Sequence, residues 1–206
     1  MTVVSGSSNT GLVARVQNIL TKPAAEWDVI NTETATVGGL YTGYACILAA
    51  IPAIATILGG VLFTHNLIGS VIAGVLGYVL SLVGLFIIAF IVDALGPSFG
   101  AQKSQIQALK LVTYSNTAGW VAGIGGIFPP IAGLLALIGG IYGLYIMYLG
   151  LPKLMKSPAD KTTVYFIVII VVAVVVEIAI AIVLGMVVAM MAIGAAATTG
   201  ALGGVH

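Results

Sequence analysis

Five long apolar runs dominate the chain, at about Gly38 to Phe63, Leu67 to Ile91, Leu111 to Ile127, Ile131 to Leu151 and Thr163 to Ala192. A helix needs roughly 20 mostly apolar residues to cross a hydrocarbon core about 30 Å thick. Each run therefore predicts a membrane span, the third being short and rich in glycine. The runs are continuous and lack the alternating segments of about ten residues that build a transmembrane β-barrel. Thr64-His65-Asn66 and Phe128-Pro129-Pro130 read as hairpin turns, where polar residues or proline stop one helix and start the next. The pattern predicts an all-α, polytopic bundle of five transmembrane helices. It divides the chain into an amphipathic cytoplasmic segment (1–37), the five-helix domain (38–192) and a flexible tail of small residues (193–206).

Outside the spans, Leu12, Val13, Val16, Ile19 and Leu20 form one apolar helical stripe, with Arg15, Gln17 and Asn18 elsewhere around the wheel. Pro23 is placed to begin a second short helix, with Trp27 and Ile30 on one side and Glu26 and Asp28 on the other. Such a lead predicts an interfacial helix, with Trp27 anchored at headgroup depth. The alternative is a docking helix for a cytosolic partner. Residues 101–113 predict a second surface helix, with Ile106, Leu109 and Val112 or Thr113 against Gln102, Lys103, Gln107 and Lys110. Trp120, in the third run, is a further candidate anchor.

Composition agrees with membrane residence. Only 6% of the 206 residues are charged and 60% are hydrophobic, against about 25% and ~45–50% in soluble domains. A net charge of +1 from scattered cations excludes a nucleic-acid partner and leaves the lipid bilayer as the principal one. Position matters more than number. Arg15 and Lys22 precede span one, Lys103 and Lys110 follow span two, and Lys153, Lys156 and Lys161 follow span four. With five spans all seven cations fall on one side, which predicts a cytoplasmic N-terminus and an outside C-terminus in the cell (inner or plasma) membrane. The first 37 residues lack the apolar core of a signal peptide, so span one is expected to direct insertion. Cys46 lies alone in span one and reads as a packing residue.

Glu177 is the sharpest polar feature, near the middle of span five, where a charge costs at least a few kcal/mol. Ala173, Glu177, Ala181, Gly185 and Ala189 are spaced by four and share a helical face. Small residues permit close helix approach, so this face is expected to point into the bundle. Three roles stay open for Glu177: protonated interhelical glue, the lining of a solute or proton path, or an oligomer contact. Asp93 reads as a cytoplasmic helix end or as a partner of Lys103 or Lys110. Tyr114, Ser115, Asn116 and Thr117 open span three, which continues through Gly119, Gly123, Gly125 and Gly126. That is the pattern of a discontinuous transporter helix and also of a tightly packed one. Gly119/Gly123 and Gly139/Gly143 are candidate packing rows, and Pro52 is expected to kink span one. Gly74, Gly77, Gly84 and Leu85 match Gly140, Gly143, Gly150 and Leu151 at a constant offset of 66, a faint sign of duplicated hairpins.

The sequence holds no phosphate loop, HExxH or CxxC motif, and its two histidines, His65 and His206, lie outside the spans. No catalytic residue, metal site or cofactor is expected, and the chain reads as a non-enzyme. Its lead, Pro23-Ala24-Ala25-Glu26-Trp27, precedes the spans. Its second half runs from Tyr114-Ser115-Asn116 through Pro129, Gly133, Ile141-Tyr142-Gly143-Leu144-Tyr145 and Gly150-Leu151 to a basic loop. Over about residues 10–190 this resembles the Yip1-domain family, and the short N-terminus resembles its prokaryotic branch. The resemblance implies a five-span integral membrane protein with an organising, partner-binding or trafficking-related role. Eukaryotic members are linked to Rab GTPases and vesicle trafficking and carry a cytosolic Asp-Leu-Tyr-Gly-Pro motif before span one. Here the similar Asp93-Ala94-Leu95-Gly96-Pro97 follows span two, so that role is not carried over. Two readings result: a partner-binding protein, as a homo-oligomer or with another membrane protein, or a small transporter, channel or lipid-moving protein using Glu177, Asp93 and the polar start of span three.

Overall fold

The computed structural model describes residues 11–203. It is helical throughout: α1 (Leu12–Thr21), α2 (Pro23–Thr32), α3 (Val37–Leu40), a π-turn (Tyr41–Ala45), α4 (Cys46–Thr64), α5 (Leu67–Leu95), a 3-10 turn (Gly96–Phe99), α6 (Gln105–Ser115), α7 (Thr117–Ala122), a second 3-10 turn (Gly123–Ile127), α8 (Pro129–Leu154) and α9 (Ala159–Gly203). Local chemistry sets the boundaries. Pro23 opens α2, the Asn66 side chain accepts the Gly69 N–H at 2.8 Å to cap α5, and Pro129 opens α8. His65 closes α4 with φ 52°.

Among the described residues, four helices are long and apolar enough to cross a membrane: Val37–Thr64, Leu67–Phe99, Pro129–Leu154 and Ala159–Met191. The expected third span is not among them. It breaks after Ser115, where the Asn116 and Thr117 side chains turn back onto the carbonyls of Val112 and Tyr114, and its glycines tighten into a 3-10 turn. The broken segment nevertheless lies along two long helices. Against α8 it runs antiparallel, with Leu111 beside Gly150, Ser115 beside Gly143, Ala118 and Ala122 beside Gly139, and Leu135 beside Gly125. Against α4 and the π-turn before it, Thr117 meets Tyr44, Gly123 meets Pro52, Gly126 meets Gly59, and Phe128 meets Phe63. Pro52 stays inside α4 as the surface on which Gly123 rests.

Glycine decides how closely α8 approaches this segment. A Cβ on Gly139 would stand 2.5 Å from the Ala122 Cβ, and one on Gly143 2.8 Å from the Ser115 carbonyl oxygen. Neither site admits a side chain without a backbone shift.

Two amphipathic expectations change. α6 is not a surface helix, because every residue from Ala108 to Ser115 is buried. Trp27 is not a headgroup anchor. It is fully buried, its indole N–H donates to the Ile146 carbonyl at 2.9 Å, and Gly150 makes room for its ring. The indole finds in α8 both the apolar body and the acceptor that an interface would offer. Trp120 is likewise buried. The expected small-residue tail continues α9 to Gly203, and 204–206 lie outside the described residues.

Candidate functional site

Scarce charge collects at two places. The first is the end of the bundle where α1 and α2 meet α8 and α6. Arg15 donates to Glu26 at 2.5 Å and also to Glu33, and its guanidinium lies over the Tyr114 ring. The Lys110 ammonium donates to the carbonyls of Ile30, at 3.0 Å, and Glu33. Arg15, Glu26 and Lys110 are all buried. Burial works against the Arg15 charge, but its hydrogen bond to Glu33 and the charges of Glu33 and Glu26 outweigh that and hold its pKa above the ordinary value. For Lys110 burial prevails over Glu33 and lowers the pKa. Lys153 reaches Asp28 at 2.7 Å and the Ala24 carbonyl, and Lys156 reaches Asn31. Arg15 of α1 and cations from two later stretches of sequence thus meet α2 at one end.

Sequence reasoning missed this cluster. It placed Arg15 off the apolar stripe of α1, whereas the structure buries it and leaves Val13 exposed. The signal was present in the rarity of charge: Arg15 is the one charged residue of α1, and the neighbouring α2 carries the acids Glu26 and Asp28.

The second place is a groove of about 710 Å³ between α8 and α9, floored by α6 and α7. Ser115, Asn116, Gly119, Gly139, Gly143, Ala173, Glu177 and Ala181 all border it, so the fold brings together residues that the sequence singled out separately. Gly119 and Ala181 line this open space. Gly139 and Gly143 border it and also sit at close helix contacts, as does Gly123 outside it.

Glu177 does not enter the bundle. It is exposed at the groove rim, and Gly185 and Ala189 farther along are exposed too. The covered face of α9 carries larger side chains: Tyr165, Ile169, Val176 and Ile180, the last two packing on Gly84 of α5. The small residue of that contact belongs to α5, which rotates the Glu177 row to the edge. Ser115 is 2% exposed, and its hydroxyl has no hydrogen-bond partner.

Tyr114 lies away from the groove, edge-on to Trp27 and Tyr44. Asp93 is buried with its Oδ1 unpartnered, and among the described residues it pairs with neither Lys103 nor Lys110. Lys110 is drawn instead to the carbonyls at the end of α2. Among the described residues no three His, Cys, Asp or Glu side chains gather as a metal site.

The family model for the Yip1 domain matches residues 18–180, well over half of the chain. Among curated proteins, the inner membrane protein YohC of Escherichia coli K12 is 24% identical over 157 residues, covering 70% of this chain and 80% of its own. YohC of the E. coli O6:H1 strain CFT073 matches to the same extent. No solved structure matches the chain.

Proposed function

The chain belongs to the Yip1 domain family, and within it we propose a five-span, non-enzymatic membrane protein that holds a membrane-embedded partner in the groove between α8 and α9. The observation that carries this reading is the groove itself: an apolar trough in the side of the bundle, bordered by a rim carboxyl and a buried hydroxyl without a partner. Pockets of about 300–1,000 Å³ that are mostly apolar with a few polar groups are ordinary binding sites. The broken α6–α7 segment supplies the fifth crossing, since it runs beside α8 from Gly150 to Leu135. The cationic end is cytoplasmic by the positive-inside rule, which puts the N-terminus inside and the C-terminus outside. The inner-membrane naming of the E. coli relatives supports the same location here. Reporter fusions at Asn66, Met155 and the C-terminus test the arrangement, and cytoplasmic labelling of the C-terminus would sink it.

A second reading has its own observation. The helix break falls at Ser115 and Asn116, which border the groove with Glu177, and transporters build sites at discontinuous helices. In proteoliposomes, Glu177→Leu separates the two. Loss of solute flux or lipid scrambling with partner capture intact favours transport; loss of capture without measurable flux favours docking.

A further inference from the structure

α9 is the least covered of the long helices: 6% of its apolar window is buried, against 22–28% in the other three. Beside it lie two polar groups with unmet needs. The Ser115 hydroxyl is buried on the groove wall without a partner. The Glu177 carboxyl stands on the groove rim, exposed where lipid would surround it. A buried hydroxyl and a lipid-facing carboxyl are each costly until hydrogen-bonded.

The two stand at similar depth. Ser115 faces Gly143, near the middle of α8, and Glu177 adjoins Val176, which packs toward Gly84, near the middle of α5. A lipid headgroup lies roughly 15 Å from the bilayer midplane, so an acyl chain offers these groups nothing. A protein helix can offer polar side chains at mid-depth. A two-fold axis along the membrane normal preserves depth, so this chain itself carries the complement of its own groove.

We propose that the groove seats a second copy of the chain, with the α9 helices side by side and Glu177 of each protomer set against Ser115 and Asn116 of the other. The contact is isologous, the same patch serving both subunits. Ala173 and Ala181 on the groove wall, with Gly185 and Ala189 beyond, leave room for the backbones to approach. This rests on reading the groove as a lateral docking site and names its occupant.

Cysteine cross-linking in native membranes tests it, in a Cys46→Ser background. Ile178 borders the groove and is exposed, whereas Val75 is exposed on α5 outside it. Oxidation is expected to convert Ile178→Cys to a dimer and to leave Val75→Cys monomeric. In nanodiscs or mild detergent, Glu177→Leu should lower the dimer fraction about tenfold and Ser115→Ala by a smaller factor, while Glu177→Gln, still able to hydrogen-bond, keeps most of it. Helical content and thermal midpoint serve as fold controls. Equal cross-linking at both positions, or a dimer indifferent to Glu177→Leu, overturns the proposal. A photo-crosslinker at position 178 separates the two failures. A discrete adduct with another protein overturns the second copy while the docking reading stands; labelling of lipid alone, or of nothing, overturns both.

Discussion

The two ends of the charge inventory behave in opposite ways. At the cationic end, Glu26 and Glu33 share Arg15, the end of α2 holds Lys110, and the surrounding side chains close over the set. At the groove, among the described residues, no basic side chain lies beside Glu177, and the walls stay apart. The same residue type serves as an internal cross-link in one place and an outward-facing contact in the other. What separates them is whether the chain supplies a counter-charge within reach. A cluster that is complete in one chain is structural, and one left incomplete is where a partner is expected.

The sharpest way to break the contrast is to unbalance the closed end. Arg15→Leu leaves Glu26 buried without its cation and should cost about 3–5 kcal/mol, read by equilibrium unfolding in mixed micelles. Loss of less than about 1 kcal/mol would make the cluster incidental. Next comes packing at the same end. A Cβ on Gly150 would fall 2.5 Å from the Trp27 ring, so Gly150→Ala should destabilise by about 1–3 kcal/mol and shift tryptophan emission to the red. Lys153→Ala breaks a partly exposed pair with Asp28, and its expected cost is below about 1 kcal/mol. Smallest of all, Glu177→Gln should leave unfolding within about 0.5 kcal/mol of the parent, because among the described residues no side chain pairs with that carboxyl. A large loss there would mean that Glu177 is internal cement, and the distinction between the two regions would collapse.

Much of the fold was legible in the sequence. The hairpin turns at His65 and Pro129 were marked by polar and proline residues, and Pro23 opens α2 as its ring geometry favours. The Yip1 resemblance, read from short motifs, holds over most of the chain. Other features were not legible. α6 looked amphipathic, yet from Ala108 to Ser115 it is buried all round, Lys110 included, because the end of α2 supplies carbonyls to that ammonium. Trp27 looked like an interface residue because tryptophan suits an interface. No local pattern announced that Gly150, far along the chain, would leave a slot for it.

Residence in the membrane follows from the sequence alone, since hydrophobic length and the cost of a charge in hydrocarbon belong to individual residues and their solvent. The covered face of each helix is a different matter. The bundle interior and the lipid are equally apolar, so hydrophobic periodicity does not tell inside from outside. The small-residue row of α9 implied that Glu177 faced inward. Only the tertiary contact of Val176 and Ile180 with Gly84 turned it to the rim of a groove.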